Sequence, residues 1–149
     1  MTELIMIILA VIAGAALSMQ AAVNGKLGEQ VGVLKSAFLT FGVGAAITAL
    51  LVLFLQTPQS VTLLTVPKWQ LMGALFGVPY IIIMVIAVPR IGTAAATVAV
   101  ILGQLAMGML IDNFGWLHNP TIGLSWHRLA AIPCLAIALW LIYRSDRSR

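Results

Sequence analysis

Four uncharged polar side chains stand where a purely lipid-facing sequence would not place them: Gln20, Asn24, Tyr80 and Gln104 each fall within a long apolar run. A polar group at membrane depth costs free energy unless it is paired or faces water, so such residues mark a helix contact or a solute pathway. Gln20 and Asn24 are four residues apart and project from one face of a helix. Two amides on one face can hydrogen-bond a polar solute, or hold a neighbouring helix for roughly 0.6 kcal/mol. Gln104 sits near the middle of its run, beside Gly103 and one turn before Gly108, where small residues leave the backbone open. Tyr80 directly follows Pro79 and offers an aromatic face with a hydroxyl. These four are the candidate pathway residues. Ser18, Ser36, Thr40, Thr48, Thr93 and Thr97 can bond carbonyls of their own helices and individually single out nothing.

Titratable chemistry is sparse. The acidic residues are Glu3, Glu29, Asp112 and Asp146, and none is central to an apolar run. Asp112, just after the fourth run, is the one candidate coupling residue, with a hydrogen-bonding role at a helix end as its alternative. His118 and His127 lie in a loop without ligand spacing, and Cys134 is the single cysteine, so neither a metal site nor an internal disulfide is expected. No nucleophile–base set, paired intramembrane carboxylates or glycine-rich phosphate loop occurs, so neither enzyme activity nor a cofactor is expected.

The elements that position these residues follow from composition. The 149-residue chain is 62% apolar and 8% charged, against roughly 45–50% and 25% in soluble domains. About 20 apolar residues span a hydrocarbon core, and five such runs fill most of the chain, at about 4–24, 34–55, 69–88, 93–111 and 129–143. An all-α, polytopic membrane protein with five transmembrane helices in a single domain is expected. The first run has Glu3 and no basic segment before it, and it outlasts a signal-peptide core, so it reads as a retained helix reaching toward Leu27. Pro58, within Gln56–Ser60, ends the second run in a loop, and Pro89–Gly92 reads as a tight connection. Residues 144–149 form a basic tail.

Basic residues orient such a chain, because basic loops are retained in the cytoplasm. Lys26, Lys35, Arg90, Arg144, Arg147 and Arg149 fall on one side, and Lys68 and Arg128 on the other. Six against two places the N-terminus outside and the C-terminus in the cytoplasm. Without the three tail residues the count is three against two, so dual topology stays open. The net charge of +4 is accounted for by this distribution, and nucleic-acid binding is not expected. Trp69, Trp116, Trp126, Trp140 and Tyr143 fall near the run ends, where amphipathic rings favour the headgroup region.

Helices in lipid associate by close backbone approach. Gly14, Gly73, Gly77, Gly103 and Gly108 are the expected packing positions, with Gly73 and Gly77 forming a GxxxG that serves contacts within one chain or between two. Pro79 frees a carbonyl from its helical bond and predicts a kink in the third helix.

The stretch Gln20–Gly28 (QAAVNGKLG), together with Gly103–Gln104 and Leu110–Gly115 (LIDNFG), resembles the YdcZ-type branch of the drug/metabolite transporter superfamily, and Arg128, Gly73 and Gly77 fit the same pattern. The resemblance covers essentially the whole chain. It implies a bacterial inner-membrane half-transporter that completes itself by pairing with an inverted copy or a homologous five-helix chain. The function expected of the chain is a transporter subunit that exports small organic solutes or drugs by alternating access between two such halves. Small multidrug resistance proteins, related at the superfamily level, carry a glutamate in their first helix, and this chain has none there. Amides do not titrate, so Gln20 and Asn24 cannot replace it as proton carriers. The alternative from another class is a non-transporting structural or regulatory subunit of a membrane complex, built on the same small residues but without a water-accessible pathway.

Overall fold

Backbone polar groups in hydrocarbon must be satisfied within the chain, and a helix does this locally. The five apolar runs meet that demand as five α-helices in a computed structural model that describes residues 2–57 and 64–147, with side chains to 145. They are α1 (Thr2–Val31), α2 (Val33–Leu55), α3 (Gly73–Ile91), α4 (Thr93–Phe114) and α5 (Trp126–Arg147). Each supplies a segment long and apolar enough to cross a membrane, that for α3 including the 3-10 turn Lys68–Met72 that precedes it. No strand occurs among the described residues. The chain is an all-α, five-helix membrane protein. Pro58 and the rest of its polar stretch beyond Thr57 lie outside the described residues, as does Arg149.

Several helix ends differ from the sequence expectation. α1 runs through Gly25 and Gly28 to Val31. Glycine costs a helix about 1 kcal/mol relative to alanine, yet a side chain at either position would crowd α3, tightly at Gly25 and with outright overlap at Gly28. A Cβ on Gly25 would lie 3.2 Å from Val88 Cγ1, and one on Gly28 would overlap Val85 Cγ1. Close contact between α1 and α3 offsets the propensity loss. Pro89, Arg90 and Ile91 are helical, so the tight connection shrinks to one residue, Gly92. Pro79, by contrast, lies within α3 as the sequence reading placed it. α5 begins at Trp126, three residues early, and carries the first part of the basic tail as helix.

Two connections share one device. Gly32 (φ 92°, ψ 153°) separates α1 from α2, and Gly92 (φ 79°, ψ 156°) separates α3 from α4. That region of backbone space is open almost only to glycine, so a single residue suffices to end one helix and start the next. In both cases the glycine carbonyl accepts the first bond of the new helix, from Ser36 N and Ala96 N respectively.

The chain divides into two compact units, residues 1–90 and 91–149. In the first, α1 packs on α2, and Ala37, Ile81 and Val85 form a buried cluster joining α2 to α3, with Val33, Tyr80 and Ile82 against it. In the second, α4 packs on α5. Gly115 (φ 61°) ends α4 in the left-handed conformation and donates its N–H to Ile111 O. Phe114 then stacks on Trp116, with ring centroids 5.3 Å apart, and at the far end of α5 Arg144 lies over the Trp140 ring at 5.2 Å.

Candidate functional site

Gly32 turns α1 back on α2, so residues equally far from it in sequence meet across the hairpin. Asn24 is eight residues before it and Thr40 eight after; Gln20 and Gly44 are each twelve away. Asn24 and Thr40 are accordingly joined, with Thr40 Oγ1 donating to Asn24 Oδ1 at 2.9 Å. The same hydroxyl lies 2.9 Å from Ser36 O one turn earlier on α2, so one proton serves two acceptors. Ser36 is fully buried and donates from Oγ to Asn24 O at 2.9 Å, fastening the two helices below the amide.

Above this junction the helices leave an open groove of ≈340 Å³, lined by Gln20, Asn24 and Leu27 of α1 and by Leu39, Thr40, Val43, Gly44 and Ile47 of α2. Gly44 faces Gln20 across it without a side chain, which is why the space exists at that level. Gln20 is exposed, whereas Asn24 is only 7% exposed. The Asn24 Nδ2 atom is buried and has no hydrogen-bond partner. Rotating the amide by half a turn exchanges its two ends: Nδ2 would then donate to Thr40 Oγ1, Thr40 would donate to Ser36 O, and Oδ1 would be the free atom. In either orientation one polar end of a buried amide is left over. Such a group costs about 1–3 kcal/mol, and a native structure retains it where something else uses it.

The remaining sequence candidates are distributed differently. Tyr80 is half-buried and packs against the Ala37–Ile81–Val85 cluster. Gln104 is exposed on α4. Asp112, in the last turn of α4, forms an ion pair with Arg128 at the start of α5, and about 30% of each side chain remains exposed (29% and 32%). The backbone reinforces this pairing: Ile122 N donates to Asp112 O at 2.8 Å, and Arg128 Nη1 donates to Ile122 O at 3.4 Å. Asp112 therefore helps fold the α4–α5 connection. Among the small residues, Gly77 lets the Phe41 ring come within 3.3 Å of where its Cβ would be, while a Cβ at Gly14, Gly73, Gly103 or Gly108 would meet nothing within 4 Å.

Sequence reasoning singled out both amides that line the groove and missed the hydroxyl partner of Asn24. Thr40 looked like five other helical hydroxyls, and Thr48 behaves as that reading expects, bonding Gly44 O at 2.8 Å. The signal that separates Thr40 is its equal spacing with Asn24 about Gly32. No cluster of three or more His, Cys, Asp or Glu side chains occurs among the described residues. The only described charges on the last turns of α1, Lys26 and Glu29, pair with each other at 3.0 Å on its exposed surface.

A family model described as "Putative inner membrane exporter, YdcZ" matches residues 5–141. No curated protein and no solved structure matches the chain.

Proposed function

The chain belongs to the YdcZ family of inner-membrane exporters, a multi-pass membrane protein of transport class, and on that premise we propose that it is a transporter subunit exporting small organic solutes. It works by alternating access as one half of a dimer of inverted halves, paired with a second copy or a homologous five-helix chain. The observation that carries this reading is the groove between α1 and α2, where two amides and a hydroxyl converge and the Asn24 amide keeps one end unpartnered. Gln20 is the exposed entry to that groove, and Tyr80 on α3 and Gln104 on α4 are further pathway residues. Asp112 is held by Arg128, so in this reading it keeps the α4–α5 connection closed and takes part in coupling only if that pair opens.

Thiol accessibility tests the proposal. Cys134 is exposed and is first replaced by serine, then Gln20→Cys, Asn24→Cys and Gln104→Cys are introduced singly and probed with a membrane-impermeant thiol reagent in sealed vesicles of both orientations. A pathway predicts labelling of Gln20→Cys from at least one side and a change in rate when the accessible side is reversed. Protection of all three from both sides identifies a packed scaffold and overturns the proposal.

A further inference from the structure

We infer that the α1–α2 groove selects uncharged amphiphiles with a neutral hydrogen-bonding head, such as a carboxamide, and rejects organic cations. The inference rests on the exporter reading of that groove and narrows it to a substrate class.

Three observations converge. First, none of the eight lining residues carries a charge. A cation in a low-dielectric groove needs a counter-charge to offset its lost hydration. The nearest formal charges on α1, Lys26 and Glu29, are paired with each other, with side chains 80% and 46% exposed, and neither lines the groove. Second, five of the lining residues, Leu27, Leu39, Val43, Gly44 and Ile47, offer only apolar surface or bare backbone, which suits a hydrocarbon body. Third, the polar groups that line the groove are all neutral. Asn24 retains a free amide end in either orientation, and Gln20, one turn away on the same face, brings a complete second amide. A carboxamide both donates and accepts, so it can pair with whichever end of Asn24 is free while its other atoms reach Gln20. A carboxylate lacks the donor, and no lysine or arginine lines the groove to neutralise it.

The test uses the full chain in lipid nanodiscs and three radiolabelled probes of one shape. They are 4-tert-butylbenzamide, its cationic isostere (4-carbamoylphenyl)trimethylammonium, and 4-tert-butyltoluene, which lacks the amide. Saturable binding is measured against empty nanodiscs. The benzamide is expected to bind at least ten-fold tighter than either other probe. Asn24→Asp keeps the side-chain shape and the oxygen that accepts from Thr40 but adds a carboxylate, so the preference should invert toward the ammonium probe. Gln20→Asp, at an exposed position, should shift preference the same way and covers the case in which Asn24→Asp does not fold. Equal or tighter binding of the ammonium probe by the unmodified protein overturns the inference, and so does a preference unmoved by both aspartates. The two readings fail separately. Amide-selective binding without solute flux in proteoliposomes removes the exporter reading and leaves the groove's selectivity standing. Flux of the ammonium probe with no Asn24-dependent amide binding removes the inference and leaves an exporter.

Discussion

Asn24 is the residue on which most of the first unit's polar chemistry turns. Its carbonyl oxygen receives Ser36 Oγ, its side-chain oxygen receives Thr40 Oγ1, and Nδ2 at the other end of the side chain is buried without a hydrogen-bond partner. Removing the Thr40 hydroxyl orphans a second atom of the same amide. Thr40→Val should therefore lower stability by about 1–3 kcal/mol, the cost of an unsatisfied buried polar group. Thr48→Val is the control: that hydroxyl is exposed and bonds only its own helix, so the change should stay within about 0.5 kcal/mol. Thermal unfolding of the two variants in matched detergent measures the difference, and equal melting temperatures would deny Thr40 its bridging role. At this scale the sequence was legible where residue type departs from surroundings, as for an amide inside an apolar run. It was not legible where the type is common and only the partner is unusual. A helical threonine bonds its own backbone in most settings, so Thr40 shows its second bond only once the hairpin about Gly32 is drawn.

Helices in this chain are placed by what can approach them closely. α1 meets α3 at Gly25 and Gly28, and α3 meets α2 where Gly77 admits the Phe41 ring. Those contacts explain why hydropathy alone located all five helices yet misjudged several ends. The same glycines that would stop a soluble helix are, in lipid, the means of packing it, so α1 continues to Val31. Pro89 was overread for a related reason. It lies within α3, as the expected in-helix Pro79 does, since the desolvated alternative to a helix, an exposed irregular backbone in hydrocarbon, costs more than one lost bond. The α1–α3 junction gives a direct prediction. Gly28→Ala should destabilise the protein by about 1–3 kcal/mol, because the added methyl competes with the buried Val85 side chain for one space. Val85→Ala vacates that space. The double variant should be more stable than the sum of the single losses by about 0.5–3 kcal/mol. Additive losses in chemical denaturation would show that the two residues do not share the site. The Asp112–Arg128 pair was half legible at this level: each residue stood out at the end of its run, but their partnership depends on how the loop between them folds, with Ile122 bonded to both.

An odd number of crossings makes orientation a property of the whole molecule. With five spans the ends face opposite compartments, and what a second chain must do to complete a pathway depends on which way the first one points. The six-to-two division of basic residues favours an outside N-terminus, but half of the six are at the C-terminal end. The Arg144 guanidinium also lies over the Trp140 ring at 5.2 Å, a cation–π contact between a tail charge and an aromatic near the end of the run. A reporter that is active on only one side of the membrane, fused to the C-terminus, should read cytoplasmic for the unmodified chain. Replacing Arg144, Arg147 and Arg149 with serine brings the division to three against two, and the same fusion should then read on both sides. If the unmodified chain already reads on both sides, one chain supplies both orientations and an inverted homodimer is the working assembly. If it reads on one side only, the inverted half has to be a different chain, and expression of this chain alone should leave the α1–α2 groove able to bind its solute but unable to pass it across.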